Sequence, residues 1–187
     1  MSVITTKQKV HQGLRIALCG SMGAGKTYTA NQLKVITDGH IISIAKPIKE
    51  IVSDMDLKGR ASHIMVGMVG RQCDSEVWIN KCIESIEAYE AAGKDNIIVD
   101  DVRFENEARA LKEIGFTIIY LDTPWYIRFQ RTREREEDLN VHAKWFAHES
   151  EVAPALIDKG VFDYICQTTE KTEEVIKSIT QSNKNIL

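Results

Sequence analysis

The 187-residue sequence has few of the residues that mark disulfide-rich, membrane or nucleic-acid-binding proteins. Its four cysteines (Cys19, Cys73, Cys82 and Cys166) are scattered without a C-x-x-C pair, which argues against a disulfide scaffold or zinc site and indicates a reducing compartment. No apolar run is long enough to cross a membrane, and the N-terminus lacks a signal-peptide core. The net charge of −3 disfavours nucleic-acid polymers and membrane surfaces as partners. We therefore expect a cytoplasmic protein, in the host cytoplasm if the source is viral.

The overall composition is that of a compact globular protein. Hydrophobic residues make up 43% of the chain and charged residues 27%, which are ordinary values. The length suits one domain, so we predict a single domain over residues 1–187 whose first 12 residues fray. Strand-like and helix-like segments alternate along the chain, which predicts an α/β fold with a central parallel sheet covered by helices.

Hydrophobic periodicity and terminal residues place the individual elements. The predicted strands cover residues 14–19, 40–45, 96–101, 116–121 and 161–165. The predicted helices cover residues 28–36, 47–55, 74–92 and 106–114, a segment from 124 into 128–135, and residues 172–179. Residues 61–70 are small and Met-rich and receive no assignment.

The strongest motif is Gly20-Ser21-Met22-Gly23-Ala24-Gly25-Lys26-Thr27, which reads G-x-x-x-x-G-K-T and lies between a predicted strand and a predicted helix. Its glycines allow backbone N–H groups to turn inward, so we expect the loop amides to hold the phosphates of ATP; the loop residues assigned to ATP are Gly20, Ser21, Gly23, Ala24, Gly25, Lys26 and Thr27. Lys26 would neutralise the β- and γ-phosphates, and the Thr27 hydroxyl would ligate Mg²⁺. The strand–loop–helix context disfavours a glycine-rich turn without a ligand.

A second candidate group follows the buried strand at 96–101. Asp101 would reach Mg²⁺ directly or through water, or accept a hydrogen bond from a substrate, and Arg103 would bind two oxygens of a phosphate, because ligands of α/β proteins bind at the carboxyl ends of the strands. The alternative makes Asp100 a helix cap and Arg103 part of a surface ion pair. For Asp100 the two interpretations stay open.

A third group is the arginine-rich segment. Arg128, Arg131 and Arg135 share one helical face, whereas Arg133 points elsewhere and is assigned to the surface. Guanidinium groups can stabilise the charge that spreads over a phosphoryl group in transfer, so Arg128 and Arg131 are candidates for that role. The alternative is a solvated helix with Arg–Glu pairs.

Further pieces occur in order along almost the whole chain: residues 45–49, Gly67, Gly70-Arg71, 77–79, D-V-R-F-x-N-E-A at 101–108, and His148-Glu149-Ser150-Glu151. Together with the phosphate loop, they make the chain resemble the phage-type deoxynucleoside monophosphate (dNMP) kinases, within the P-loop nucleoside monophosphate kinases. The resemblance implies a three-layer α/β/α P-loop kinase fold with a helical lid. It also implies Mg²⁺-dependent transfer of the γ-phosphate of ATP to a dNMP, giving a dNDP.

The resemblance also implies roles for individual residues. Residues 46–92 would form the acceptor-binding segment and residues 131–150 the lid. The catalytic residues would be Lys26, Arg128, Arg131 and Asp101, and the acceptor-binding residues Lys46, Arg71, Trp78 and Arg103. For Trp78 the alternative is a core tryptophan, and for Lys46 a solvent-exposed side chain beside Pro47.

Two other functions remain open at this point. Another small-molecule P-loop kinase, such as a dephospho-coenzyme A kinase, would phosphorylate a hydroxyl and would need a base, for which Asp101 is the candidate. A non-catalytic nucleotide-binding module is the more distant alternative. The stretch at 62–66 departs from the family pattern, so the preferred base is not determined. A homodimer is left open.

Overall fold

The computed structural model describes residues 13–134, 144 and 146–184. The polar N-terminal residues predicted to fray lie outside these ranges, as do residues 135–143 and 145 of the predicted lid and the arginine at position 135. No helix in the described ranges combines the length and apolar character needed to cross a bilayer.

A parallel five-stranded sheet forms the centre of the molecule, as the alternating sequence pattern predicted. Its strands are β1 (Arg15–Cys19), β2 (His40–Ile42), β3 (Ile97–Val102), β4 (Thr117–Leu121) and β5 (Tyr164–Cys166), in the spatial order β2-β3-β1-β4-β5. β1 lies at the centre of this sheet and pairs with β3 on one side and β4 on the other. The phosphate loop, which follows β1, therefore emerges at the middle of the carboxyl edge.

Helices follow the strands and cover both faces of the sheet. They are α1 (Lys26–Thr37), α2 (Lys46–Asp54), α3 (Arg60–Cys73), α4 (Val77–Ala91), α5 (Glu105–Glu113), α6 (Trp125–Arg133), α7 (Glu149–Leu156) and α8 (Thr169–Lys184), with a 3₁₀ turn at Lys159–Val161. This arrangement is the α/β/α fold of P-loop kinases.

The core has two halves, one on each face of the sheet. Ile16 and Leu18 of β1 pack toward α1 and α8, whereas Ala17 and Cys19 face α4 and α5. All four of these side chains are inaccessible to solvent. Because successive strand residues point to opposite faces, a continuous apolar run is what a strand covered on both sides requires.

Two predicted strands are shorter in the structure, and one stretch without an assignment is helical. The second strand ends at Ile42 rather than at residue 45, because the next residues turn and bond to a carboxylate of β3. The unassigned stretch at 61–70 belongs to α3. The last strand begins at Tyr164, since residues 159–161 form a 3₁₀ turn rather than part of the strand.

Candidate active site

The phosphate loop has the backbone conformation that its glycines permit. Gly23 has a φ of +78°, and a Cβ there would lie 2.7 Å from the carbonyl oxygen of Arg128. Gly25 has a φ of +102° and directly precedes α1, whose first residue is Lys26. Positive φ strains residues with a Cβ, so glycine at these positions lets the loop turn while α6 packs closely against it.

Lys26 lies buried beneath the loop. Its Nζ donates to the carbonyl oxygens of Gly20 at 2.5 Å and Ser21 at 3.0 Å. Burial, and then the charge of Arg103, lowers the pKa of Lys26 to about 7, although Glu151 opposes the shift. Burial inside the loop therefore disfavours the charged ammonium form of Lys26. An anion bound in the loop would stabilise this charged form.

A cavity of about 560 Å³ opens beside this loop at the carboxyl edge of the sheet. Its lining includes loop residues 22–27, Asp100, Asp101, Arg103 and Arg131. Further lining residues come from α1, from the region of α2 and from the start of α8: Tyr28, Thr29, Gln32, Ser43, Lys49, Thr169, Thr172 and Glu173. The structure thus brings the phosphate loop, the acidic pair and two of the predicted arginines around one space.

A β-bulge brings both aspartates to this cavity. Ala17 pairs with Val99, but Cys19 pairs with Val102, so β3 has one more residue than β1 between these pairs. Such bulges interrupt the strict alternation of side chains and commonly lie next to functional sites. Asp100 and Asp101 are consecutive residues, yet both line the cavity.

The two carboxylates have different surroundings. Asp101 accepts hydrogen bonds from Ser43 Oγ at 2.6 Å and from the amides of Ile44 at 2.7 Å and Ala45 at 3.0 Å. It therefore fixes the turn between β2 and α2. Burial and the charge of Asp101 raise the pKa of Asp100 to about 6, with Lys49 opposing. Of the pair, Asp101 is the one committed to the fold.

The oxygen donors at this edge suit Mg²⁺. The Thr27 hydroxyl and the two aspartates line the same cavity. Mg²⁺ usually keeps several waters and is bound by one or two protein oxygens together with substrate phosphates. No cluster of three or more His, Cys, Asp or Glu side chains occurs in the described part of the chain, which is compatible with a site that the nucleotide completes.

Arg128 and Arg131 of α6 lie against the phosphate loop. Arg128 Nη1 is 3.4 Å from the carbonyl oxygen of Met22, and Arg131 Nη1 is 3.3 Å from that of Gly23. The guanidinium of Arg128 also stacks 4.8 Å from the ring centroid of Phe146. The structure therefore brings Arg128 and Arg131 to the phosphate loop, while Arg133 is exposed.

Arg103 reaches the site from the end of β3. Its Nη1 donates to Glu151 Oε2 at 2.5 Å and to the carbonyl oxygen of Ser150 at 3.2 Å. The backbone next to it is held by the buried Glu107 carboxylate, which accepts from the amides of Arg103 at 2.8 Å and Phe104 at 3.1 Å. Burial raises the pKa of Glu107 to about 7, against these two hydrogen bonds.

The other predicted acceptor residues do not line the cavity. Arg71 stacks over the Phe104 ring with its guanidinium carbon 4.4 Å from the centroid, adjacent to the Arg103 segment. Trp78 is buried in the core, where its Nε1 donates to the carbonyl oxygen of Gly67 at 3.0 Å. Lys46 is exposed and lies 3.8 Å from a Glu50 oxygen.

Sequence reasoning gave no specific role to two residues that join the site. Glu151 is buried, with its carboxylate bound to the phosphate loop and to two arginines. Arg60, at the start of α3, donates from Nη2 to Glu151 Oε1 at 2.8 Å. The H-E-S-E motif at 148–151 marked this region, but no motif singled out Arg60.

Comparisons with known proteins agree with the fold. Solved structures similar to this chain include a shikimate kinase from Acinetobacter baumannii in complex with shikimate, with 20% identity, a TM-score of 0.59, and 94% of this chain and 96% of that chain covered. A sugar kinase from Janibacter sp. HTCC2649 has 16% identity and a TM-score of 0.59, covering 90% of this chain and 93% of its own. A gluconokinase from Sinorhizobium meliloti 1021 has 10% identity and a TM-score of 0.54, with 95% of each chain covered.

A search of curated protein sequences gives no match to the chain. A sequence model of a family described as AAA domain (AAA_18) matches residues 16–151, from β1 through the phosphate loop and the acidic strand end to Glu151. Because this match spans well over half of the chain, the chain belongs to the AAA domain family.

Proposed function

We propose that this chain is a Mg²⁺-dependent kinase that transfers the γ-phosphate of ATP to a deoxynucleoside monophosphate. The observation that carries the proposal is the single cavity of about 560 Å³ that joins the phosphate loop to Arg103 and Arg131. A phosphoryl transferase needs cations on both the donor and the acceptor side of the transferring group. The resemblance to dNMP kinases, carried by the motif at 101–108, supplies the acceptor class.

The donor side is the phosphate loop. The loop amides and Lys26 would hold the triphosphate, and Tyr28, Thr169 and Thr172, which line the same cavity, would border the rest of the nucleotide. Bound Mg²⁺, held by Thr27 and an aspartate, would neutralise the phosphate oxygens during transfer.

The acceptor side begins at Arg103. Its guanidinium lines the cavity, and Arg71 lies next to it through the Phe104 ring. A guanidinium suits an acceptor that carries its own phosphate, because it can donate to two oxygens. Arg71 itself lies outside the cavity lining, against the Phe104 ring. An acceptor phosphate is already ionised near neutral pH, so its attack requires positioning rather than a base.

The arginines of α6 would act during transfer. Arg128 and Arg131 contact carbonyl oxygens of the phosphate loop, and Arg131 lines the large cavity whereas Arg128 borders a smaller cavity of about 300 Å³. We assign to these arginines the stabilisation of the negative charge that develops on the transferring phosphoryl group. Cations that are already in place stabilise this charge without a rearrangement of the protein during transfer. Their helix leads into the predicted lid at 131–150, half of which lies outside the described residues.

A second candidate is transfer to a hydroxyl, as in a sugar or dephospho-coenzyme A kinase. The observation that favours it is Asp100, which lines the cavity with its pKa raised to about 6 by burial and by Asp101. A carboxylate of that kind can take the proton of an attacking hydroxyl. Asp101, the base named from sequence, is less suited because three donors from the β2–α2 turn already bind it.

A substrate panel tests the proposal. Purified protein with Mg-ATP is incubated with each dNMP and NMP, with shikimate, gluconate and dephospho-coenzyme A, and ADP release is measured. Turnover with a dNMP supports the proposal, turnover only with a hydroxyl acceptor supports the second candidate, and no turnover with any compound supports a non-catalytic nucleotide-binding module.

The variant Asp100→Asn separates the two kinases further. This variant should abolish phosphoryl transfer to a hydroxyl acceptor, because no base remains. It should leave measurable phosphoryl transfer to a phosphate acceptor, in which Asp101 would hold Mg²⁺. Asp101→Asn is the matched comparison, since it removes the same charge one residue away and loosens the β2–α2 turn instead.

A further inference from the structure

The carboxylate of Glu151 joins three parts of the chain that surround the cavity. Its side chain is 1% exposed. Oε2 accepts from the amide of Met22 in the phosphate loop and from Arg103 Nη1, and Oε1 accepts from Arg60 Nη2 at 2.8 Å. The backbone oxygen of Glu151 also accepts from Ser21 Oγ at 2.7 Å. One residue of α7 thus ties the donor loop, the end of β3 and the start of α3.

The position of Glu151 indicates that it acts through these partners. Met22 and Arg103 both line the 560 Å³ cavity, whereas Glu151 is absent from that lining and instead borders a smaller cavity of about 300 Å³ on its other side. Its carboxylate therefore lies behind the guanidinium of Arg103 as seen from the phosphate loop cavity. A ligand in the large cavity would meet the arginine rather than the glutamate.

The charges explain why such a support is useful. The charge of Arg103 is among the causes that lower the pKa of both Lys26 and Arg128, and Arg60 binds the same carboxylate as Arg103. An unsupported arginine would be driven away from these cations and toward solvent. A buried carboxylate that binds two arginines fixes their rotamers and offsets part of the repulsion.

We propose that Glu151 is a positioning residue that holds Arg103, and through Arg60 the acceptor-binding segment, in place for the acceptor phosphate. This inference rests on the proposed function for the identity of the acceptor. Arg60 is the first residue of α3, so its ion pair fastens the acceptor segment to α7. The ion pair between Arg103 and Glu151 sets the distance between the acceptor-side cation and the Met22 amide of the donor loop.

The test compares Glu151→Gln with Glu105→Gln. Glu105 also lies in the first turn of a helix and pairs with an arginine, Arg109, but at the surface. We expect Glu151→Gln to raise the acceptor KM by up to about 100-fold, because misplacing a positioning group by about 1 Å has effects of that size. The dissociation constant of ATP should change much less than the acceptor KM, since Glu151 contacts the loop at Ser21 and Met22 rather than at Gly23–Thr27. Glu105→Gln should match the wild type.

A double-mutant cycle with Arg103→Ala gives the decisive comparison. Adding Glu151→Gln to Arg103→Ala should raise the acceptor KM much less than Glu151→Gln does alone, because the ion pair with Arg103 is already lost and mainly the contact with Arg60 remains to be removed. Additive effects would overturn the proposal. So would tighter acceptor binding in Glu151→Gln, which would make the carboxylate a competitor of the phosphate. Glu151→Asp keeps the charge and should recover part of the loss.

The acceptor in these assays is the compound that the substrate panel identifies. If that compound is a hydroxyl acceptor, the proposed function is refuted, but the comparison of Glu151→Gln with Glu105→Gln can still be made. The Nε–H signal of Arg103 in ¹⁵N-labelled protein gives a readout that needs no turnover. It should shift and exchange faster with water in Glu151→Gln and stay unchanged in Glu105→Gln; an unchanged signal in both would overturn the proposal. If Glu151→Gln does not fold, the acceptor KM and the Arg103 signal are measured in Glu151→Asp and Arg60→Ala instead.

Discussion

Binding of ATP should be coupled to proton uptake at Lys26. In the free protein, burial lowers the pKa of Lys26 to about 7, well below its usual value of 10.5. A triphosphate in the loop places several negative charges against the ammonium group and raises its pKa again. At a pH equal to the free-protein pKa, half of the Lys26 side chains are neutral, so complete protonation on binding takes up about 0.5 proton per ATP.

The sign of the pH dependence follows from this uptake. Since binding raises the pKa, the complex holds more protons than the free components, and ATP affinity falls as the pH rises above about 7. Well below that pH, Lys26 is already protonated, and the affinity becomes independent of this group. Isothermal titration calorimetry in buffers of different ionisation enthalpy measures the uptake directly, with saturating Mg²⁺ to keep the ATP phosphates ionised.

The matched variants are Lys26→Met and Asp100→Asn. Methionine has a similar length and no titratable group, so the proton uptake should vanish in Lys26→Met. The loop amides should still bind ATP, but more weakly than in the wild type. Asp100 has a pKa of about 6 in the same cavity, and its removal should leave most of the uptake in place. The reasoning is refuted if the wild type takes up no protons near neutral pH, or if Lys26→Met takes up as many as the wild type.

Three further predictions concern single substitutions. Arg103→Ala should raise the acceptor KM more than the ATP KM in steady-state assays, and equal changes would move Arg103 out of the acceptor site. Gly23→Ala should cut kcat strongly in the same assay with little change in fold by circular dichroism, because the new Cβ would meet the Arg128 backbone at 2.7 Å with φ at +78°; full activity would contradict the loop geometry. Gly70→Ala should lower the free energy of unfolding in urea by about 1–3 kcal/mol, since its Cβ would lie 2.2 Å from the Trp78 ring and overpacking outweighs the helix propensity of alanine; a more stable variant would refute this packing.

Local signals in the sequence were sufficient for the fold class and the phosphate loop. A strand, the G-x-x-x-x-G-K-T pattern and a helix are consecutive in the chain, so their geometry depends on glycine conformations and on short-range hydrogen bonds. The parallel sheet followed from the alternation of strand-like and helix-like segments along the chain. The predicted ends of the elements were less accurate, as at Ile42. The residues after Ile42 leave the strand because their amides donate to Asp101, a residue far along the chain.

Only the tertiary structure decided which side chains share the cavity. The bulge in β3 brings Asp100 and Asp101 to one space, although simple alternation would separate them. Packing places Trp78 in the core and ties Asp101 to the β2–α2 turn. The link from Arg60 to Glu151 joins residues 91 positions apart. The residue types were readable from the sequence, but long-range packing sets their distances and burial, and these determine which charges can act together.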